Sequence, residues 1–265
     1  MEHTYRLLSQ EEVFGDRKTD VIKTIGATCI VSDLAIVSGA DISEDRTGRW
    51  FLSSASGYGD VCAVDRDGSQ RMAYPDSRGG MRPVMECADL SQLDCSTARD
   101  ISGFDEIVYG EYPQYAADRT LAGELEQDFM DGRLIKTGKK YCSQYDEFQR
   151  DGSKYIRTVY LPEEAHQLSD GKKYSSGDIV WIAVSPLKWL WDDRAGLLIS
   201  RIIPAAGLMF SHEKYYDGNF EKTDIYRYLN TTFATDIIPG VLKELTPEEK
   251  ARYEADAKRA AERRN

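Results

Sequence analysis

The chain is poor in the residues that most often carry chemistry: 265 residues include only three histidines and five cysteines. His3, His166 and His212 lie far apart, so no short-spaced set of metal ligands can be drawn. The cysteines (Cys29, Cys62, Cys87, Cys95, Cys142) are odd in number and nowhere form Cys-x-x-Cys, which excludes a zinc ribbon and a thioredoxin-like redox motif. They read as reduced thiols of a cytoplasmic protein, several of them buried, with Cys87 and Cys95 left open as a pair. No apolar run approaches the roughly 18 residues of a membrane-spanning helix. Met1–Arg6 lacks the basic-then-apolar pattern of an export signal. Basic residues are outnumbered 34 to 45, for a net charge of −11. A clustered basic face, as a phosphate backbone requires, is therefore not expected. Neither direct nucleic-acid binding, nor membrane association, nor a cofactor or metal is expected.

What is present is ordinary for a globular chain, with 41% hydrophobic and 30% charged residues. Ser9 and Glu12 have capping-box spacing for a short helix through Val13 and Phe14. Leu34–Val37 is compatible with a helical turn. Val61–Val64 and Gln70–Tyr74 flank Asp65-Arg66-Asp67-Gly68, an Asp-Gly hairpin signal. Met81–Cys87 reads as one strand, with Pro83 near its edge or end. Residues 88–103 are small and polar, the best linker in the chain. Glu106–Tyr109 reads as a short strand ending at Gly110. Thr120 is placed as the cap of a helix whose Leu121, Leu125 and Phe129 recur every four residues, with Gly132 as its stop. Ile179–Val184 and Leu197–Ile203 are the most apolar strands, joined through Trp189–Asp193. Thr223-Asp224 opens another helix, and Thr246, Pro247 and Glu249 open a charged, solvated helix over 241–265. Residues 1–103 carry 11 basic and 17 acidic side chains and residues 104–240 carry 16 and 22, a net −6 in each. Acidity is spread over the body.

Tyr109-Gly110-Glu111-Tyr112-Pro113-Gln114 resembles the G-x-Y-P-Q opening of a bacterial and phage family of domains of unknown function. That family is related to the C-type-lectin and formylglycine-generating-enzyme fold. Val180–Val184 is similar to its W-x-V-L strand and Leu197–Ile203 to its L-L-I-S strand. Phe220–Asn230 resembles its W-x-x-S-x-I-R-x-W-L-N helix, with both tryptophans replaced. The family's closing half is also recognisable, but it comes first. Leu7–Glu12 resembles L-L-S-x-E-E, and Ser32–Ala35 with Gly39-Ala40 resembles T-D-Y-A…G. Arg49–Ser54 resembles W-W-L-R-S without its arginine, and Gly79–Val84 resembles G-V-R-P-A. The resemblance implies a circularly permuted, lectin-like α+β domain over residues 1–240. Short antiparallel strands and two or three helices would form it, with residues 5–87 and 106–240 joined through 88–103. Each half has an apolar face that must be covered, within one chain as a monomer or between chains as a swapped homodimer.

The resemblance implies a fold without importing a reaction. Iron-dependent relatives need a His/Glu cluster and formylglycine-generating relatives a paired active-site cysteine arrangement; neither pattern occurs here. Asp65-x-Asp67-Gly68 lacks a third acidic calcium ligand and is explained by a hairpin turn. Ser56-Gly57-Tyr58-Gly59 lacks the Lys-Ser/Thr of a phosphate cradle, and no G-x-S-x-G occurs. Trp50, Trp181 and Arg82 read as structural, Arg82 tying strand ends through carbonyls or a carboxylate. Trp189 and Trp191 alternate before Asp192-Asp193, and one of them is expected to face outward. Trp189, Trp191, Asp192, Asp193, Tyr215 and Tyr216 are accordingly the candidate residues for binding a protein or polymer partner. The expected activity is non-catalytic recognition. The competing reading is an acidic phage or mobile-element inhibitor that blocks a basic nucleic-acid channel.

Overall fold

Local capping chemistry begins the helices. In the computed structural model, which describes residues 4–99 and 103–238, Ser9 and Glu12 complete a reciprocal capping box on α1 (Gln10–Val13). The Thr19 and Ser32 hydroxyls accept the Ile22 and Ala35 N–H groups, capping α2 (Asp20–Ile25) and α3 (Asp33–Val37). α4 (Arg119–Met130) is capped by Asp118 instead of Thr120: the carboxylate accepts the Thr120 N–H at 2.9 Å. Its Leu121, Leu125 and Phe129 pack with Trp181, and Gly132, at φ +68°, follows its end. Thr223 caps α5 (Asp224–Tyr228), which widens into a π-turn over Leu229–Phe233. The helix expected over 241–265 lies outside the described residues.

The architecture is mixed α+β, built mostly of antiparallel strands. The largest sheet is organised on Ile179–Asp192. One edge of this strand pairs with Asp105–Ala116 over most of its length. The other carries Ser153–Val159 at its start and Leu197–Ser200 at its end. From there the sheet runs outward through Tyr145–Arg150 to Ile135–Tyr141, and through Val84–Glu86 to Tyr5–Arg6. A second sheet has the order Ala205–Met209, Arg78–Met81, Trp50–Ala55, Val61–Val64, Gln70–Ala73. Its last two strands form the expected hairpin, Val61 opposite Ala73 and Val64 opposite Gln70. The Gly68 N–H closes the turn on the Asp65 carbonyl at 3.0 Å, with Gly68 at φ +85°.

The expected two or three helices are exceeded, since α1 to α5 all form, and four expectations for strands and connections change. The single strand over Met81–Cys87 is two, Arg78–Met81 and Val84–Glu86, because the chain passes from one sheet to the other at Arg82-Pro83. The short strand at Glu106–Tyr109 continues through Gly110 to Ala116. Gly110 sits at φ +75°, where a Cβ would meet the Ile237 carbonyl oxygen at 2.8 Å. Trp189–Asp192 is no connector but the end of the central strand, because partners lie along both its edges. The linker is structured too: Leu90–Gln92 forms a 3-10 turn and Ser96–Arg99 pairs with Asp105–Val108.

The two stretches of sequence share one interior. Leu7, Trp50, Val64 and Met85 belong to the same buried cluster as Ile107, Trp189, Leu198 and Phe233. Val84–Glu86 pairs with Leu197–Ile199, Arg78–Met81 with Ala205–Met209, and Ile30–Val31 runs parallel to Ile202–Ile203. The fully buried Asp33 carboxylate fastens the same junction. It accepts the Ala116 N–H at 2.6 Å, the N–H and hydroxyl of Ser169, and the Arg46 guanidinium. Asn230 brackets Tyr5, accepting its N–H at 2.9 Å and donating to its carbonyl at 2.8 Å.

Candidate functional site

The residues singled out from sequence divide between interior and surface. Trp189 is fully buried: its ring packs 6.4 Å from Tyr5, and Nε1 donates to the Tyr109 carbonyl at 2.9 Å. Trp191 is half-buried against the same core. Residues two apart on a strand share a face, so both rings turn inward, and the expectation that one faces outward is corrected. Asp192 is buried and serves as a backbone acceptor, taking the Val21 N–H at the start of α2 at 3.2 Å and the Ala195 N–H at 3.0 Å. Asp193 is exposed. Tyr216 is buried, its hydroxyl donating to the Ser53 carbonyl at 2.6 Å, whereas Tyr215 is 66% exposed. Trp189, Asp192 and Tyr216 are thus removed from any contact surface by their positions. The three residues assigned to structure are all buried. Trp50 donates to the Ala27 carbonyl and Trp181 to Glu126. Arg82 donates through Nε to the Ser200 carbonyl at 2.9 Å and lies over the Trp50 ring.

Around Tyr215 the structure assembles three loops. The segment after the Ala205–Met209 strand is tied at one end to the Pro75 carbonyl by the Ser211 N–H, 2.9 Å. Farther along, the Tyr216 N–H donates to the Gly59 carbonyl at 2.8 Å. The loops at 56–60, 74–77 and 211–217 are therefore joined through backbone hydrogen bonds at the second sheet. Each carries an exposed tyrosine: Tyr58 at 92%, Tyr74 at 72% and Tyr215. Gly59 is required here, since at φ +83° its Cβ would stand 2.1 Å from the Tyr215 ring. Sequence reasoning missed Tyr58 and Tyr74. The available signal was their setting, an aromatic inside Ser56–Gly59 and inside Tyr74-Pro75-Asp76-Ser77, both runs of turn-forming residues.

Beside Tyr215 lies a cleft of about 380 Å³ lined by Asp217, Asn219 and Lys222, with buried Tyr216 and Thr223. The Asn219 N–H, donating at 2.8 Å, and nearby Lys222 hold the Asp217 carboxyl below its ordinary value, so it is anionic at neutral pH. At the margin, Asp224 accepts from the His212 backbone and pairs with its ring Nδ1 at 2.9 Å. That hydrogen bond and charge raise the imidazole above its ordinary value.

Elsewhere among the described residues, the thiols and His166 are engaged by their surroundings. Cys142 lies against the Tyr112 and Tyr228 hydroxyls at 2.9 and 3.4 Å, and burial with nearby Asp236 pushes its thiol up to about 11. Burial likewise raises Cys29, Cys62, Cys87 and Cys95, leaving none a ready thiolate. His166 is engaged by Tyr160. Among the described residues no three His, Cys, Asp or Glu side chains are grouped to hold a metal, and no helix is long and apolar enough to cross a membrane. Comparison with family models, curated proteins and solved structures finds no match to this chain.

Proposed function

We propose that the protein is a non-catalytic recognition module that grips a protein or polymer partner through the tyrosine-bearing loops at 56–60, 74–77 and 211–217. The observation that carries this reading is the exposure of Tyr58, Tyr74 and Tyr215 on loops bonded to one another beside the second sheet. Exposed tyrosine combines large apolar area with a polar tip and little conformational entropy to lose, which suits recognition. Asp217, Asn219 and Lys222 add polar groups for orientation beside it. We infer further that the fold is lectin-like in permuted order. The hydrogen bonds joining Asn230 to Tyr5 support it, since they set the late part of the 106–240 stretch beside the start of the 5–87 stretch, as the unpermuted order requires.

The test compares partner capture by the full chain with capture by a Tyr58→Ala/Tyr74→Ala/Tyr215→Ala variant, followed by titration of the captured species. The variant should bind at least about tenfold more weakly. Its stability should stay within about 0.5 kcal/mol of the parent per site, because the lost rings pack little of the interior. Undiminished capture by the variant overturns the proposal.

A further inference from the structure

We propose that the cleft between α4 and the Lys173–Tyr174 strand binds a small organic carboxylate with an aromatic or branched apolar body. This site is separate from the tyrosine loops. The cleft measures about 280 Å³, just below the roughly 300–1,000 Å³ typical of ligand pockets and suited to a single ring with its acid group. Trp181 and Ile179 of the central strand and Ala122 and Gly123 of α4 give it an apolar lining, while Arg119 and Lys172 line it with positive charge.

Those two cations are held by hydrogen bonding and ring contact instead of by carboxylates. Arg119 donates to the Gly171 carbonyl at 2.7 Å, and the Lys172 ammonium lies 4.3 Å from the Tyr174 ring centre. Among the described residues neither is ion-paired, whereas Arg133, Arg150 and Arg157 nearby all are. One carboxylate, Glu126, lines the cleft and a second, Asp170, stands beside it; both are already engaged. Glu126 is held by Arg157 at 2.7 and 2.9 Å and by the Trp181 indole at 2.9 Å. Asp170 accepts the Tyr174 hydroxyl at 2.9 Å and the Lys172 N–H at 3.0 Å. Positive charge over an apolar lining is complementary to an anion with an apolar body.

A second observation is independent of charge. Arg119, Ala122, Gly123 and Glu126 recur at i, i+3, i+4 and i+7, so they form one face of α4. Glycine weakens a helix interior, yet among the described residues nothing lies within 4 Å of where a Gly123 Cβ would stand. No described neighbour requires a glycine there. A ring laid against the helix backbone would.

Titration of the ¹⁵N-labelled full chain with phenylacetate, followed at the Trp181 indole N–H, tests this. The resonance should move saturably, with phenylacetamide at least about fivefold weaker and inorganic phosphate without effect. Lys172→Gln and Arg119→Gln should each weaken binding about threefold or more. Gly123→Leu should abolish binding while the rest of the spectrum stays folded, and Gly123→Ala makes the same comparison should the larger side chain impair folding. The absence of a saturable shift, equal binding of the amide, a response to phosphate, or undiminished binding by the folded glycine variant each overturns the proposal.

Discussion

At the scale of single residues, whether a side chain reaches a partner depends on which way its backbone turns it. Trp189 and Tyr58 show the two extremes, one fully buried in the core and the other almost fully exposed in a glycine-flanked loop. Trp189→Ala removes a ring packed near Tyr5 and leaves the Tyr109 carbonyl without its indole donor. It should cost about 3–5 kcal/mol in denaturant unfolding, the range for large aromatic truncations in cores. His212 gives a pH signature. Its hydrogen bond to Asp224 raises the imidazole in the folded state, so the associated stabilisation is complete below the unfolded value near 6.5. It is lost as pH rises through the raised folded value. Asp224→Asn should return the His212 ring to ordinary titration, read by NMR of its carbon-bound protons; an unchanged midpoint would refute the assignment.

At the scale of elements, the two caps read in advance lie three residues from their targets, whereas Asp118 at α4 and the longer-range acceptors were not read. Ser9 with Glu12, and Thr223 before α5, satisfy N–H groups of their own turn. The Asp65–Gly68 hairpin needs only its turn residues and two short strands. Asp192, by contrast, accepts from Val21 at a sequence separation of 171, a relation no local pattern encodes. Asp192→Ala should strand the Val21 and Ala195 N–H groups and cost about 1–3 kcal/mol, measured by thermal or denaturant unfolding. Partner capture through the tyrosine loops should be retained. The candidate site divides the same way. Tyr215 was legible as a loop aromatic, whereas Tyr58 and Tyr74 gained relevance only when hydrogen bonds from Ser211 and Tyr216 drew their loops together.

At the scale of the whole molecule, residues on both sides of the 88–103 connection cover each other's apolar surface and share Asp33 as a polar fastening. A chain cleaved within residues 88–95 should keep its two fragments together through gel filtration, and each isolated fragment should lack the cooperative unfolding of the pair. Fragments that separate and remain folded would contradict a shared interior. By itself the sequence determined the acidic balance, the starts of α1 and α5, the hairpin and the apolar character of Ile179–Val184, because these follow from composition or from groups a few residues apart. Only the tertiary structure decided that Trp189 and Asp192 lie inside and Tyr58 and Tyr74 outside. Burial on a strand is set by what covers its faces and edges, and for this chain those neighbours come from distant sequence.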